Sequence, residues 1–161
     1  MTDVPTSPEV TPTPTAPAAP AAEPRPARQL TKQNPYYWGT GRRKSAIARV
    51  RIRPGTGQFM VNDREVNEFF RVEKDQALVR TPLSVTESAT SFDVFVNVHG
   101  GGISGQSGAV VLGLSRALIE ADAGLEMKLK AHNLLTRDSR KVERKKYGRA
   151  GARKRFQFSK R

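Results

Sequence analysis

Residues 45–53 read Ser-Ala-Ile-Ala-Arg-Val-Arg-Ile-Arg, and this stretch sets the pattern of the fold. Successive side chains of a β-strand point to opposite faces of its sheet, so residues two apart share a face. The apolar residues here all fall at one parity and the arginines at the other: Ala46, Ala48, Val50 and Ile52 against Arg49, Arg51 and Arg53. The stretch therefore predicts a half-buried strand with one apolar and one basic face.

The same reasoning extends outward along the chain. Residues 54–57 predict a turn and residues 58–61 a short returning strand, followed by a turn at Asn62-Asp63. Residues 92–98 predict a second long strand, because every other residue is apolar: Phe92, Val94, Val96 and Val98. A helical pattern then runs to about Ala121, with an apolar stripe of Val110, Leu114, Ala117, Leu118 and Ala121. Shorter helical patterns cover residues 65–70, 75–80 and 125–135, with Phe69, Phe70, Leu78 and Val79 directed inward.

The order of these elements predicts an α+β fold, in which helices pack on one face of a small mixed sheet. We expect the globular domain to span residues 35–135. A Pro/Ala-rich extension, residues 1–34, precedes it, and an extended basic tail, residues 136–161, follows it. Eight of the eleven prolines lie in residues 1–28, which predicts a disordered or polyproline-like extension without the apolar core of a secretory signal.

Positive charge is concentrated at the C-terminal end. Residues 137–161 hold twelve Lys and Arg against Asp138 and Glu143, a net +10 of the +13 for the whole chain. Such a segment repels itself and has little apolar surface to bury, so we expect it not to fold alone. Phosphates would offset that repulsion with release of counterions, which favours nucleic acid as the partner. A histone-like or membrane-coating protein could share this charge, so its sign alone does not identify the partner. No stretch is apolar and long enough to span a bilayer, so we do not expect a membrane-spanning protein.

Aromatic residues are interleaved with the cations of the tail: Tyr147, Phe156 and Phe158. They could stack on exposed bases while the cations bind phosphates. The alternative is that these rings dock back on the chain's own domain. Gly148 and Gly151 disfavour a continuous helix through this segment.

A second basic cluster lies in the globular domain: Arg42, Arg43, Lys44, Arg49 and Arg51. Strand residues two apart are roughly 6.5–7 Å apart, close to the spacing of successive phosphates. Taken alone, such arginines are more typical of a solvated strand that protects a sheet edge. Together with the basic tail they favour contact with RNA.

Residues 100–105 read Gly-Gly-Gly-Ile-Ser-Gly and satisfy the G-x-G-x-x-G pattern of dinucleotide sites, and Glu126 follows at about the expected distance. The remaining chain is too short for further βαβ units, so this interpretation is weak. A glycine run more often lets a backbone approach a neighbour closely, here RNA or a packed helix.

Catalytic and metal-binding signals are sparse. His99 and His132 are isolated, the chain has no cysteine, and no nucleophile–base motif or phosphate loop is present. We therefore expect no enzymatic activity, no cofactor, no metal and no small-molecule substrate.

Three segments resemble the family of small-subunit ribosomal protein nine. The first is residues 37–50, Tyr-Trp-Gly-Thr-Gly-Arg-Arg-Lys-Ser-Ala-Ile-Ala-Arg-Val. The second is residues 100–109, Gly-Gly-Gly-Ile-Ser-Gly-Gln-Ser-Gly-Ala, continuing into residues 114–118. The third comprises residues 135–138, 143–148 and 157–161, which end on Gln-Phe-Ser-Lys-Arg. The segments follow the family's order from about residue 36 onward, whereas the Pro/Ala/Thr tract has no counterpart in the family core.

The resemblance implies a fold shared with the second domain of small-subunit ribosomal protein five, and a location in the head of the small ribosomal subunit, in the cytoplasm. It implies ribosomal RNA and neighbouring head proteins as partners, and no membrane. It also implies that the tail reaches the peptidyl-site tRNA, where Ser159, Lys160 and Arg161 would approach the backbone of the anticodon stem-loop. The residues expected on ribosomal RNA are Arg42, Arg43, Lys44, Arg49, Arg51, Arg137, Arg140, Lys141, Arg144, Lys145, Lys146, Arg149, Arg153, Lys154 and Arg155.

Two other classes of protein stay open on the residues alone. One is a small nucleotide-dependent enzyme built around residues 100–105, and the other is an architectural protein that compacts DNA. Binding of a dinucleotide or ATP would identify the first, and equal affinity for duplex DNA and structured RNA the second.

Overall fold

The computed structural model describes residues 35–159. The predictions for the Pro/Ala-rich extension, and those for Lys160 and Arg161, lie outside the described residues. The strands are β1 Tyr37–Arg43, β2 Ala46–Pro54, β3 Phe59–Val61, β4 Arg64–Glu65 and β5 Phe92–His99. The helices are α1 Val66–Phe69, α2 Glu73–Val85, α3 Ile103–Ala121 and α4 Glu126–Ala131, and a 3-10 turn at Ala123–Leu125 joins α3 to α4.

The strands form one five-stranded sheet in the order β1-β2-β5-β3-β4. Neighbouring strands are antiparallel except β3 and β5, which run parallel. The sheet is therefore mixed, and together with the helices it confirms the predicted α+β class.

The apolar face of the sheet is covered by helices. Helix α3 crosses β1 and β2, and α2 packs beside it. The predicted inward residues of β2 and β5 are buried, and so is most of the stripe on α3; only Phe92 and Ala121, at the margins, are half-buried. Burial of these side chains is the main favourable term in the folding of this domain.

Strand β1 was not predicted from the sequence. Its glycines allow it to pack on α3, and they also remove the pattern by which a strand is recognised. Gly39 and Gly41 are buried against α3, where an added Cβ would overlap the backbone oxygens of Gly113 and Ala109. Backbone therefore packs directly on backbone at this seam. Because the two central inward positions of β1 are glycines, the strand lacks the apolar alternation that marks β2.

Two helices differ in length from the predictions. Helix α2 continues to Val85, beyond the predicted end at Arg80, although Pro82 lacks the N–H that would bond the carbonyl of Leu78. It continues because Pro82 and Leu83 are buried against the core. Helix α4 ends at Ala131 rather than near residue 135, and Asn133 then adopts a left-handed φ of 56° that turns the chain into the tail.

Candidate nucleic-acid interface

The face of the sheet opposite the helices carries the predicted arginines. Cross-strand pairing aligns Trp38, Arg51 and Phe95 in one row across β1, β2 and β5, and Thr40, Arg49 and Asn97 in the next. We call this surface the open sheet face; its members are Tyr36, Trp38, Thr40, Arg42, Ile47, Arg49, Arg51, Arg53, Phe95 and Asn97. Arg49 and Arg51 therefore lie on the face opposite the core, as predicted.

Aromatic rings support the arginines of this face. The Arg49 guanidinium carbon lies 5.6 Å from the ring centroid of Trp38, and that of Arg51 lies 5.3 Å from Tyr36 and 5.6 Å from Phe95. The Arg53 guanidinium carbon lies 5.2 Å from the ring centroid of Phe95 as well. Each contact at an exposed site contributes about 0.5–1 kcal/mol. Among the described residues, Arg49 and Arg51 form no ion pair with an acidic side chain, whereas Arg53 pairs with Asp93.

Arg53 belongs to a buried anchor around Asp93. The Asp93 carboxylate accepts from Arg53 Nε at 3.3 Å and from the backbone N–H groups of Thr56, Gly57 and Gln58 at 2.8–3.2 Å. The N–H groups of Thr56 and Gln58 are the main cause of the lowered pKa of Asp93, with Arg53 adding to it. Asp93 therefore fixes the turn at residues 54–57 and the position of Arg53 together.

The other predicted cations of the domain lie at the turn between β1 and β2, beside the root of the tail. Arg42 and Arg43 line a cleft of about 200 Å³ together with Thr136, Arg137 and Asp138. Arg43 Nη2 is 3.2 Å from Asp138 Oδ2. The structure thus brings together two clusters that the sequence separates by more than ninety residues.

The tail emerges from this cleft. Residues 137–159 form no helix or strand. The Arg140 side chain donates hydrogen bonds from Nε and Nη2 to the Asp138 carboxylate at 2.8–3.2 Å, and the Arg140 backbone N–H donates to the same carboxylate at 3.0 Å. Arg140, with help from Arg43, holds the pKa of Asp138 well below its usual range.

Glu143, the other acid of the tail, organises the next segment. It pairs with Lys146 at 2.7 Å and with Arg153 at 2.9 Å, which lowers the pKa of Glu143. The contact with Arg153 joins two residues ten positions apart in the sequence, and a backbone hydrogen bond from Ala150 N to Lys154 O at 2.9 Å lies in the same segment. Both tail acids are therefore already compensated by cations.

The remaining predicted cations of the tail make no side-chain ion pair or acidic hydrogen bond with the part of the chain that the structure describes. They are Arg137, Lys141, Arg144, Lys145, Arg149, Lys154 and Arg155. The tail aromatics are also exposed: Tyr147 at 97%, Phe158 at 91% and Phe156 at 58%. This observation argues against the alternative that these rings dock on the domain. Ser159, at the end of the described tail, is exposed too.

The glycine run occupies the link between β5 and α3. At Gly100 an added Cβ would lie 2.7 Å from the carbonyl oxygen of Ser45, and at Gly101 3.1 Å from Ala46. The run therefore lets the backbone approach the start of β2. No strand follows α3 within residues 35–159, so the βαβ continuation of a dinucleotide-binding domain is missing there.

The described residues show neither a metal-binding cluster nor a membrane-spanning helix. Residues 35–159 contain no group of three or more His, Asp or Glu placed to hold a metal ion. Among the same residues, no helix has both the length and the apolarity to cross a membrane.

Sequence reasoning missed several residues of this surface. Tyr36, Trp38 and Phe95 were not assigned a role, because β1 was not recognised and Phe95 falls at the polar parity of its strand. Arg116 of α3 was also missed; its Nη1 donates to the carbonyl oxygen of Thr40 at 2.7 Å and ties α3 to β1. An aromatic residue at the solvent parity of a strand is the signal that could have identified this face.

Comparison with known proteins identifies the family of this chain. The family model described as "Ribosomal protein S9/S16" matches residues 41–161. Two curated relatives named "Small ribosomal subunit protein uS9", from two strains of Treponema pallidum (one of subspecies pallidum, the other strain Nichols), are each 56% identical over 123 residues, which is 76% of this chain and 95% of theirs. These matches confirm the resemblance found in the sequence. The chain therefore belongs to the ribosomal protein S9/S16 family: it is an RNA-binding protein of the small ribosomal subunit, a ribonucleoprotein that acts in translation in the cytoplasm.

Proposed function

We propose that this ribosomal protein is a structural, non-catalytic component of the subunit head that holds ribosomal RNA at two surfaces. The open sheet face and the β1–β2 turn bind RNA with Arg42, Arg43, Lys44, Arg49 and Arg51. The tail threads between RNA helices, where its cations neutralise phosphates that otherwise repel each other. The cations proposed for this role are Arg137, Arg140, Lys141, Arg144, Lys145, Lys146, Arg149, Arg153, Lys154 and Arg155.

One observation carries this proposal. The tail's two acids are each satisfied by neighbouring cations, while most of its other cations project without an acidic partner among the described residues. An array of this kind is suited to a polyanion, because each Lys or Arg placed on a phosphate releases a condensed counterion. The exposed rings of Tyr147, Phe156 and Phe158 add surfaces on which bases can stack.

The end of the tail is proposed to contact peptidyl-site tRNA. Ser159, Lys160 and Arg161 would bind the backbone of the anticodon stem-loop, and phosphate contacts position a nucleic acid without reading its sequence. That property suits a site that serves every tRNA. Neighbouring head proteins are the remaining proposed partners.

Sedimentation of a cell lysate through a sucrose gradient, with a high-salt wash, tests the structural role. We expect the chain at one copy per small subunit in the washed peak. A chain that remains at the top of the gradient would contradict the proposal, and binding of nucleotides by the purified chain would then be tested at residues 100–105.

Deletion of Ser159 to Arg161 tests the tRNA contact separately. We expect normal subunit assembly but faster dissociation of tRNA from purified subunits, because the phosphate contacts are lost. Substitution of Lys160 by Arg, which preserves the charge, serves as the control and should leave dissociation unchanged. Unaltered dissociation after the deletion would refute the tRNA contact and leave the ribosomal RNA contacts standing.

A further inference from the structure

Three aromatic side chains form a cluster on the open sheet face that the proposed cation contacts leave unexplained. The ring centroids of Tyr36 and Trp38 are 6.5 Å apart, and those of Tyr36 and Phe95 are 6.3 Å apart, both with edge-to-face geometry. Trp38 is 41% exposed although Arg49 lies over its ring. Large rings on a solvent-facing sheet surface represent apolar area that water solvates poorly, which indicates a binding surface.

We propose that this aromatic cluster binds unpaired nucleotides of RNA, with bases stacked on Tyr36, Trp38 and Phe95 and phosphates on the arginines between them. The inference rests on the proposed RNA contact of this face and assigns it a ligand class. It predicts recognition of a single-stranded loop or bulge rather than of a double helix.

The composition of the row favours a nucleic acid. Arg51 lies between Trp38 and Phe95 in the cross-strand register, with Arg49 and Arg53 on either side along β2. Across the strands a cation therefore lies between two rings, and along β2 the cations follow one another. The nearby acid, Asp93, is buried and paired with Arg53 and three backbone N–H groups, so its negative charge is offset within the protein and repels a phosphate only weakly. Stacking on rings with phosphates on neighbouring arginines is the common mode of binding to single strands.

The geometry favours unpaired bases over a duplex. In a double helix the faces of the bases are covered by their neighbours, so aromatic side chains reach them only where the strand is unstacked. Three adjacent strands of a sheet span about 10 Å from the first to the third. Successive bases of a strand rise about 3.4 Å, so the row offers room for roughly three stacked nucleotides.

The arginines cover the rings in part. Arg49 lies over Trp38, Arg51 over Tyr36 and Phe95, and Arg53 over Phe95, while Trp38 keeps an exposed fraction of 41%. A base can stack on the exposed part of the cluster while a guanidinium turns its donors to the adjacent phosphate. The contacts within the protein thus pre-orient the groups that bind both parts of a nucleotide.

Trp38 is the chain's one tryptophan, so its fluorescence reports on this surface alone. The full chain is titrated with a single-stranded oligoribonucleotide of nine uridines and, separately, with a hairpin duplex of equal phosphate number. The titrations are made at a salt concentration that weakens the contacts of cations with phosphates. We expect the single strand to quench the emission and the duplex to leave it largely unchanged.

A pair of substitutions measures the energetic contribution. Phe95→Leu retains an apolar side chain and the Trp38 reporter but removes a ring, and we expect the affinity for the single strand to fall about tenfold. Trp38→Phe keeps a stacking surface, and we expect it to bind within a few-fold of the parent chain by filter binding. Met127→Ala removes an exposed side chain of α4, away from the sheet, and serves as the control.

The outcomes separate this inference from the proposed function. If the single strand binds without a change in emission, the aromatic cluster is available to another partner such as a protein, and the inference is wrong while RNA binding stands. If the duplex quenches equally, selection of unpaired nucleotides is wrong. If neither RNA binds at any salt concentration, both the inference and the proposed function fail.

Discussion

The open sheet face and the basic tail both present arginines, but they hold them in opposite ways. On the sheet, register fixes the spacing of Arg49, Arg51 and Arg53, and aromatic rings brace their guanidinium groups. In the tail, residues 137–159 lack helix and strand, and order comes from two acids that each gather neighbouring cations. The sheet sets the positions of its charges when the domain folds, and we expect the tail to adapt the positions of its charges to the RNA that it binds.

This difference has an energetic meaning. Ordering a residue's backbone costs about 1–2 kcal/mol, and for the sheet that cost is met during folding by burial of the opposite face. A segment without regular structure meets it on binding, and offsets it with counterion release. The sheet should therefore supply the salt-resistant part of RNA binding and the tail the salt-sensitive part.

Removal of the tail should give the largest effect. Deletion of residues 137–161 is expected to lower the affinity for ribosomal RNA about a thousandfold at low salt, since a tail on about eight phosphates contributes most of the counterion release. The salt dependence should flatten while the melting temperature of the domain stays unchanged. Filter binding across a salt series and thermal unfolding check this expectation.

Charge-preserving substitution provides the control for that deletion. Replacing Lys141, Lys145 and Lys154 by Arg should retain both affinity and salt slope, because the number of phosphates contacted is conserved. An unchanged slope after deletion would mean that the sheet, rather than the tail, supplies the salt-sensitive contacts, and would reverse the comparison.

The next largest effect is expected at the seam beneath the open sheet face. Gly41→Ala places a methyl group against the backbone of Ala109 and Gly113, and should destabilise the domain by about 3 kcal/mol. Gly102→Ala is the matched control, since an added Cβ meets nothing within 4 Å there, and should cost less than about 1 kcal/mol. Urea unfolding measures both; equal effects would show that β1 and α3 can separate to admit a methyl group.

The pH dependence of thermal stability tests the open sheet face through Asp93, which holds Arg53 there. A carboxyl group whose pKa is lowered on folding stabilises the native state fully above its unfolded pKa, near 3.8, and loses that contribution as the pH falls further. Asp93→Asn should lower the melting temperature at neutral pH, and the difference between the two chains should shrink in acid. Thermal unfolding from about pH 7 to pH 2.5 tests this, in the range where Asp carboxyls titrate.

Asp63→Asn is the control for that substitution. Asp63 is exposed in a turn with a left-handed φ of 64°, a conformation that Asn adopts equally well. At neutral pH its melting temperature should match that of the parent chain. A difference between the Asp93→Asn and parent chains that stays constant in acid would contradict the assigned pKa shift.

The smallest effect is expected at the root of the tail. Asp138→Asn weakens the contacts to Arg43, which is half-buried, and to Arg140, which is exposed. The free energy of unfolding should therefore fall by less than about 1 kcal/mol. The amide of Arg140, which donates to Asp138, should exchange its hydrogen faster. Glu143→Gln is the control and should leave the exchange rate of the Arg140 amide unchanged. If that amide exchanges at the same rate in the Asp138→Asn chain as in the parent chain, the Asp138 carboxylate does not order the tail.

Residues with a clear burial pattern made the globular core predictable. Strands β2 and β5 and helix α3 follow from alternation and helical spacing, because one face of each must leave water. The positions of Arg49 and Arg51 followed from the same parity. The proposed fold relationship to small-subunit ribosomal protein five stays a prediction.

The remaining features depend on contacts between distant residues. The buried positions at the centre of strand β1 are two glycines, which give no apolar alternation in the sequence. Helix α2 continues through Pro82 because tertiary packing outweighs one lost hydrogen bond. The ion pairs of Arg43 with Asp138 and of Glu143 with Arg153 join residues whose proximity no local pattern encodes. The aromatic cluster became visible only when β1 and β5 were found on either side of β2.

The glycine seam also bears on how this surface can change through evolution. At Gly39 and Gly41 the distance between sheet and helix is set by main-chain atoms, which every sequence shares, instead of by side chains that substitution can resize. Residues on the outer side of β1 can therefore vary without altering the strand's position. The backbone contacts at the seam therefore fix the position of β1. The side chains on its outer face, which determine what the surface binds, can change independently.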